Sequence, residues 1–254
     1  RTIRAMQDVR IVIVQDSNFL VEVYKKSFCY FLFLKMPIHF RNMLAVEYKD
    51  IITDKFNFLI NYFNFEPGDI FIEVLSLDKF ERYYEFEYGK KSQWFVVGSA
   101  INNGRILILN KQDFPKKKHT ENEFEEVILH ELCHMFIRRL NWPEHASIWI
   151  QEGLCEYLSF GKKEFKIKNF IDFKEIETEE GWDKYNPYQQ AGAFFKFLAE
   201  KYGDRKIADF IKKIKEKSDV ESFKEVFGKE LNEIQKKFIT SLKNEKFISS
   251  RNTL

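Results

Sequence analysis

Cysteine is scarce in this chain. Cys29, Cys133 and Cys155 are odd in number and form no paired framework, so the fold does not rest on disulfides and a reducing compartment is expected. Glycine (10) and proline (5) are also sparse, and no Gly/Ser-rich or Pro-rich linker breaks the chain. No internal repeat or low-complexity tract is present. The longest apolar run, Phe28 to Leu34, is closed by Lys35. It falls well short of the roughly 20 residues that span a bilayer, so no transmembrane segment is expected and the run reads as a buried helix or strand. Arg1-Thr2-Ile3-Arg4 carries no apolar core of a leader, so no signal peptide is visible; this start says little about localisation, which stays open with the unpaired cysteines leaning toward the cytoplasm. Charge of one sign is missing too: Lys+Arg is 41 against Asp+Glu 39, a formal net charge of +2. That excludes a global basic field, and no nucleic-acid partner is expected.

What is present is enough for a folded core. The 254 residues fit one large domain or two small ones. Hydrophobic residues make up 44% and charged residues 31%, which excludes intrinsic disorder. Phenylalanine is abundant, with 28 residues, and supplies much of the core.

The first half reads as mixed. Val9 to Val14 is β-branched and strand-like. Ile52, Phe56, Leu59, Ile60 and Phe63 recur at helical spacing within Ile51 to Phe65. Glu66-Pro67-Gly68-Asp69 is a turn signal before a strand at Ile70 to Leu75. Leu77 to Tyr84 reads as a helix. Phe95 to Gly98 and Ile106 to Leu109 read as strands, with Asn102-Asn103-Gly104 as a hairpin turn between them.

The second half reads as helical. Thr120 and Glu123 have capping-box spacing at the head of a helix running to about Leu140, where Asn141-Trp142-Pro143 ends it. Further helices fit His145 to Leu158, Pro187 to Tyr202, Arg205 to Glu216, Val220 to Phe227 and Leu231 to Lys243. Gly203 and Gly228 stand where C-terminal caps are expected. The expected class is α+β: an N-terminal mixed sheet with helices, then a mainly helical C-terminal half. The expected division is residues 1–140, ending in the motif helix, and residues 141–254, the two forming one catalytic unit.

The informative segment is Val127 to Phe136, which contains His130-Glu131-x-x-His134. Four residues on an α-helix turn about 400°, so both imidazoles leave one face, one turn apart. Two ring nitrogens can then meet one zinc ion. Glu131 flanks the metal position without ligating it and is placed to act as a general base on an attacking water.

Downstream stands Trp149-Ile150-Gln151-Glu152-Gly153-Leu154-Cys155-Glu156-Tyr157. With it the sequence resembles the gluzincin metallopeptidases, the clan of thermolysin-like and aminopeptidase N-like enzymes. The resemblance implies a zincin-like fold, one Zn²⁺ per chain and a peptide or protein substrate. It makes Glu152 the third ligand of a His₂Glu site. Seventeen residues separate His134 from Glu152, one short of the spacing common in aminopeptidase-like members. In thermolysin-like members an acidic residue four after the ligand bonds a ligating histidine, which implies that role for Glu156. The stretch Tyr188 to Leu198 is similar to a helix of peptidase MA-like domains. The clan places near here a tyrosine that donates to the oxyanion, so Tyr188 is the expected residue and Tyr185 the second choice. An edge strand beside the cleft is expected to take an extended substrate, through Phe95, Val96, Val97, Gly98, Ser99 and Ala100. The Gly-x-Met-x-Asn signature of aminopeptidase N-like enzymes is absent, since Gly98-Ser99-Ala100-Ile101-Asn102 lacks the methionine; endopeptidase action is therefore expected.

Two alternatives stand beside this reading. SprT-like proteases share a similar motif with a third histidine ligand, which would be His145. A catalytically silent zinc-binding interaction domain would need no base, and Glu131 argues against it. A metzincin is excluded, because its Gly and His positions hold Ile137 and Leu140. His39 and His119 have no evident partners, Cys133 and Cys155 read as inert core, and Lys116-Lys117-Lys118 reads as an exposed loop.

Overall fold

A computed structural model describes residues 9–13, 18–25, 28–35, 37–101, 104–140, 146–161, 163–167 and 169–251, with side chains from 37 to 242, Glu179 aside. Three β-branched and aromatic runs form an antiparallel sheet: β1 (Val9–Ile13), β2 (Asn18–Lys25) and β3 (Phe28–Lys35), in that order. The apolar run at Phe28 is thus a strand. β2 carries no simple alternation and was not expected from sequence.

A second sheet frames the site. Ile70, Ile72 and Val74 are buried and alternate with half-buried neighbours along β5 (Ile70–Leu75), the period of a pleated strand. β4 (Ile38–Phe40) and β7 (Arg105–Leu109) flank it in parallel, and β6 (Gly98–Ala100) pairs antiparallel with β7. The order β4-β5-β7-β6 leaves β6 at an edge. The helices α1 (Met43–Glu47), α2 (Lys49–Phe63) and α3 (Leu77–Tyr88) complete this half.

Ten residues separate β7 from Thr120, which opens the helical part. Glu123 accepts from the Thr120 backbone N–H at 3.1 Å, closing the expected box. A short 3-10 turn, Glu121–Glu123, leads into α4 (Phe124–Arg139). α4 is buried nearly all round, through Val127, Ile128, Leu132 and Phe136 among others, as befits a central helix. Phe63 of α2 stacks on Phe136 at 5.3 Å between centroids. α5 (Ile148–Phe160) follows, then α6 (Glu179–Tyr185), α7 (Tyr188–Tyr202), α8 (Asp204–Lys213), α9 (Asp219–Phe227) and α10 (Leu231–Arg251). No helix among the described residues is long and apolar enough to cross a membrane.

Three sequence readings need correction. The strand read at Phe95 to Gly98 is displaced to Gly98–Ala100, because Val96 N–H closes a turn on the Gln93 carbonyl (3.0 Å) and holds Phe95 out of the ladder. The helix read from His145 begins at Ile148, with Ser147 (φ −57°, ψ 130°) outside the helical conformation before it. Lys117 is no loop residue: it ends a 3-10 helix, is 7% exposed, and pairs with Glu81 and with Ser92 Oγ (2.6 Å). A buried ammonium must have such partners. Residues 102–103, 141–143 and 145, on which the hairpin, helix-stop and His145 readings fall, lie outside the described residues.

Candidate active site

α4 and α5 lie side by side and bring the motif residues together. Their helical phase does the work: His130 and His134 leave one face of α4, and Glu152 faces them from the first turns of α5. His130 Nε2 is 3.1 Å from His134 Nε2 and 3.2 Å from Glu152 Oε2, and His134 Nε2 is 3.5 Å from the same oxygen. Donors bonded to one tetrahedral zinc at about 2.0–2.1 Å stand about 3.3 Å apart, so this triangle has the size of a zinc face. Together these three residues form a group that could hold a metal ion.

The position of Glu152 follows from its neighbours. Trp149 is 1% exposed and its ring packs 4.7 Å from Phe173 and 5.6 Å from Phe194. Gly153 lets α5 close on α7: a Cβ there would meet Phe195 at 2.9 Å and the Ala191 carbonyl at 3.0 Å. Trp149 and Gly153, one turn apart on the same face of α5, thus set α5 against α7, with Glu152 between them in sequence.

The charges also call for a cation. Glu131, Glu152 and Glu156 are all buried or nearly so around the two imidazoles. Burial pushes Glu152 up, but His134 and His130 outweigh it and hold the carboxyl well below the usual range. Burial drives the His130 imidazolium down, yet the Glu152 hydrogen bond and the three carboxylates lift it to about 9. Burial raises Glu131, opposed by both histidines and by a backbone hydrogen bond from Ala100. Burial pushes Glu156 up to about 7. Buried carboxylates need cationic partners, and a divalent ion on the donor triangle would supply one beside the two histidines.

Glu156 lies behind His130, with Oε2 3.7 Å from Nδ1, a buried atom that has no hydrogen bond. Gln189 Nε2 donates to the other Glu156 oxygen at 3.1 Å. Tyr188 lines the cleft, its ring 6.3 Å from His130, and burial raises its phenol so that it stays a donor. Tyr185 points elsewhere and donates to Glu175 at 2.7 Å.

A cleft of about 670 Å³ opens over these groups. Of the expected edge segment, Val96, Gly98, Ser99 and Ala100 line it. Phe95 and Val97 do not: Val97 is 3% exposed, and the Phe95 carbonyl accepts from His119 Nε2–H at 2.8 Å. His119 thereby has partners after all, with Glu123 at its Nδ1 (2.8 Å), and His39 contacts Asp69 at 2.8 Å. Val97 and Ile101 point their ladder groups at β7, so Gly98 and Ala100 turn theirs to the cleft. The Ala100 carbonyl already accepts from Arg138 Nη2 at 2.6 Å.

Several cleft residues went unread in the sequence. Arg138 is one turn beyond His134, a spacing that was there to be followed. Tyr84 and Tyr88 stand one turn apart on α3, with rings 4.5 Å apart, and Tyr88 OH shares a hydrogen bond with Ser99 Oγ (2.7 Å). Gln151 and Glu177 carried no distinguishing signal.

Two helices presenting two imidazoles and a carboxylate, with a further buried carboxylate in the same open cleft, define a site of hydrolase type. A family model described as a peptidase of plants and bacteria matches residues 101–238, and the chain belongs to that family. The match takes in all three donors and Tyr188 and begins just past β6. No curated protein and no solved structure matches the sequence.

Proposed function

We propose that this member of the family is a zinc-dependent peptidase of gluzincin type that cuts within peptide chains. The observation that carries the reading is the convergence of His130, His134 and Glu152 on one point beside Glu131. His130, His134 and Glu152 would hold the ion. When bound, zinc polarises the scissile carbonyl and lowers the pKa of the attacking water.

The rest is done by the chain's own residues. Glu131 removes a proton from the attacking water and delivers it to the leaving amine, a role that suits a buried carboxyl of raised pKa. Tyr188 O–H donates to the carbonyl oxygen as negative charge grows on it. Glu156, with Gln189 behind it, orients the His130 ring. The outward N–H and C=O of Gly98 can pair with an extended peptide and set its register. Residues 1–140 and 141–254 act as the two halves of this one unit, with the cleft between them.

A peptide-library digest compares the zinc-loaded chain with Glu131→Gln. Cleavage at internal bonds by the native chain and loss of about 10²–10⁴ in rate in the variant are expected. Equal activity in the two would remove Glu131 from the chemistry, and with it this reading.

A further inference from the structure

The face of α4 that carries the histidines continues to Arg138. It lies four residues past His134, about 6 Å further along the helix axis, and lines the same cleft. Its Nη2 donates to the Ala100 carbonyl, so the guanidinium is fixed at the far end of the exposed edge of β6. Glu131 marks the other reference point: it fills the space over Gly98 and takes a backbone hydrogen bond from Ala100. An extended peptide on β6 advances about 3.3 Å per residue. Arg138 therefore meets whatever a substrate carries one or two residues from the bond that Glu131 attends.

Among the described residues its charge has no counter-ion. A guanidinium has five N–H donors and the Ala100 carbonyl takes one. Among the described residues Arg138 makes no other hydrogen bond and no ion pair. It is also the one Lys or Arg among the described residues that line the cleft, where the other fixed charges are the carboxylates of Glu131, Glu152 and Glu177. Away from the metal position, a substrate carboxylate is repelled from those three and meets the Arg138 guanidinium. A guanidinium suits it, because two parallel N–H donors match its two oxygens.

We propose that Arg138 is a specificity residue that selects substrates bearing a carboxylate one or two residues from the cleaved bond, on the Ala100 side. The proposal rests on the peptidase reading for its substrate class. The carboxylate can belong to an acidic side chain or to a free chain end.

The test uses the full zinc-loaded chain and matched peptides. One set carries Glu or Gln at each of the two positions on either side of the cleaved bond. A second set has a free or an amidated C-terminus at the same distances. kcat/KM is measured for the native chain, Arg138→Gln and Arg138→Lys, and Kd for the same peptides on Glu131→Gln with and without Arg138→Gln. The native chain is expected to prefer the carboxylate at one position about tenfold or more, the worth of a charge-assisted hydrogen bond. Arg138→Gln brings that ratio close to one, and Arg138→Lys, which keeps the charge, retains part of it. The set that shows the ratio identifies the source of the carboxylate. A ratio near one in the native chain, or one that survives in Arg138→Gln, overturns the proposal. If no peptide is cut, the peptidase reading fails, and the Kd ratio alone decides the role of Arg138 in the same way.

Discussion

A methyl group on Gly98 would stand 2.7 Å from Glu131 Oε1 and 2.8 Å from Glu131 Cγ. The edge strand and the proposed base are thus cut to fit each other, and the missing side chain at Gly98 is where the Glu131 carboxylate lies. Gly98→Ala should push that carboxylate aside while leaving the donor triangle intact. Activity is expected to fall about a hundredfold, as for a displacement of about 1 Å, with zinc content unchanged. Steady-state rates and metal analysis on the same sample check this; full activity would show that Glu131 does not act from its present position.

Glu156 supplies a second prediction. His130 Nδ1 is buried without a hydrogen bond, and Glu156 is the carboxylate placed 3.7 Å behind it. Glu156→Ala should weaken zinc binding about 10–100-fold, measured by competition with a chelating dye. An unchanged affinity would reduce Glu156 to a packing residue.

Lys117 and Glu81 give a prediction about stability. The buried ammonium ties its own 3-10 helix, Lys111–Lys117, to α3 and to the Ser92 loop. Burial raises Glu81, but Lys117 and Ser92 outweigh it and lower its pKa below 4.5. A lowered carboxylate contributes stability that is complete above its unfolded value and is lost as pH falls through the folded one. Unfolding in denaturant should therefore show an acid limb below about pH 4.5 that is shallower in Glu81→Gln. Lys117→Met, which leaves Glu81 and Ser92 without their donor, should cost about 1–3 kcal/mol at neutral pH. An acid limb identical in Glu81→Gln would contradict the pairing.

Much of this site was legible because helical phase is local. His130 and His134 must share a face once α4 is a helix, and the Thr120 cap and the apolar run around the motif say that it is one. Glu152 was reached through resemblance and is explained by packing: Trp149 and Gly153 are the residues that set α5 against its neighbours. What sequence could not give were relations between distant segments. Gly98 read as a strand residue, and its close approach to Glu131 shows only when β6 lies beside α4. Lys117 read as exposed because a charged triplet usually is, and its partners Glu81 and Ser92 lie some 25 or more residues upstream. The edge strand was displaced because a turn at Gln93–Val96 competes with pairing, and β-branched composition does not reveal which wins. Arg138 was in plain sight at the next turn of the motif helix.

The proposed peptidase stands on one zinc ion held by two imidazoles of α4 and a carboxylate of α5. Elemental analysis by inductively coupled plasma mass spectrometry, on the native chain and on His134→Ala and Glu152→Ala after equilibration with zinc and desalting, tests it most directly. One zinc per native chain and far less than one in each variant is the predicted result. A native chain without zinc, or variants that keep the full complement, would contradict it.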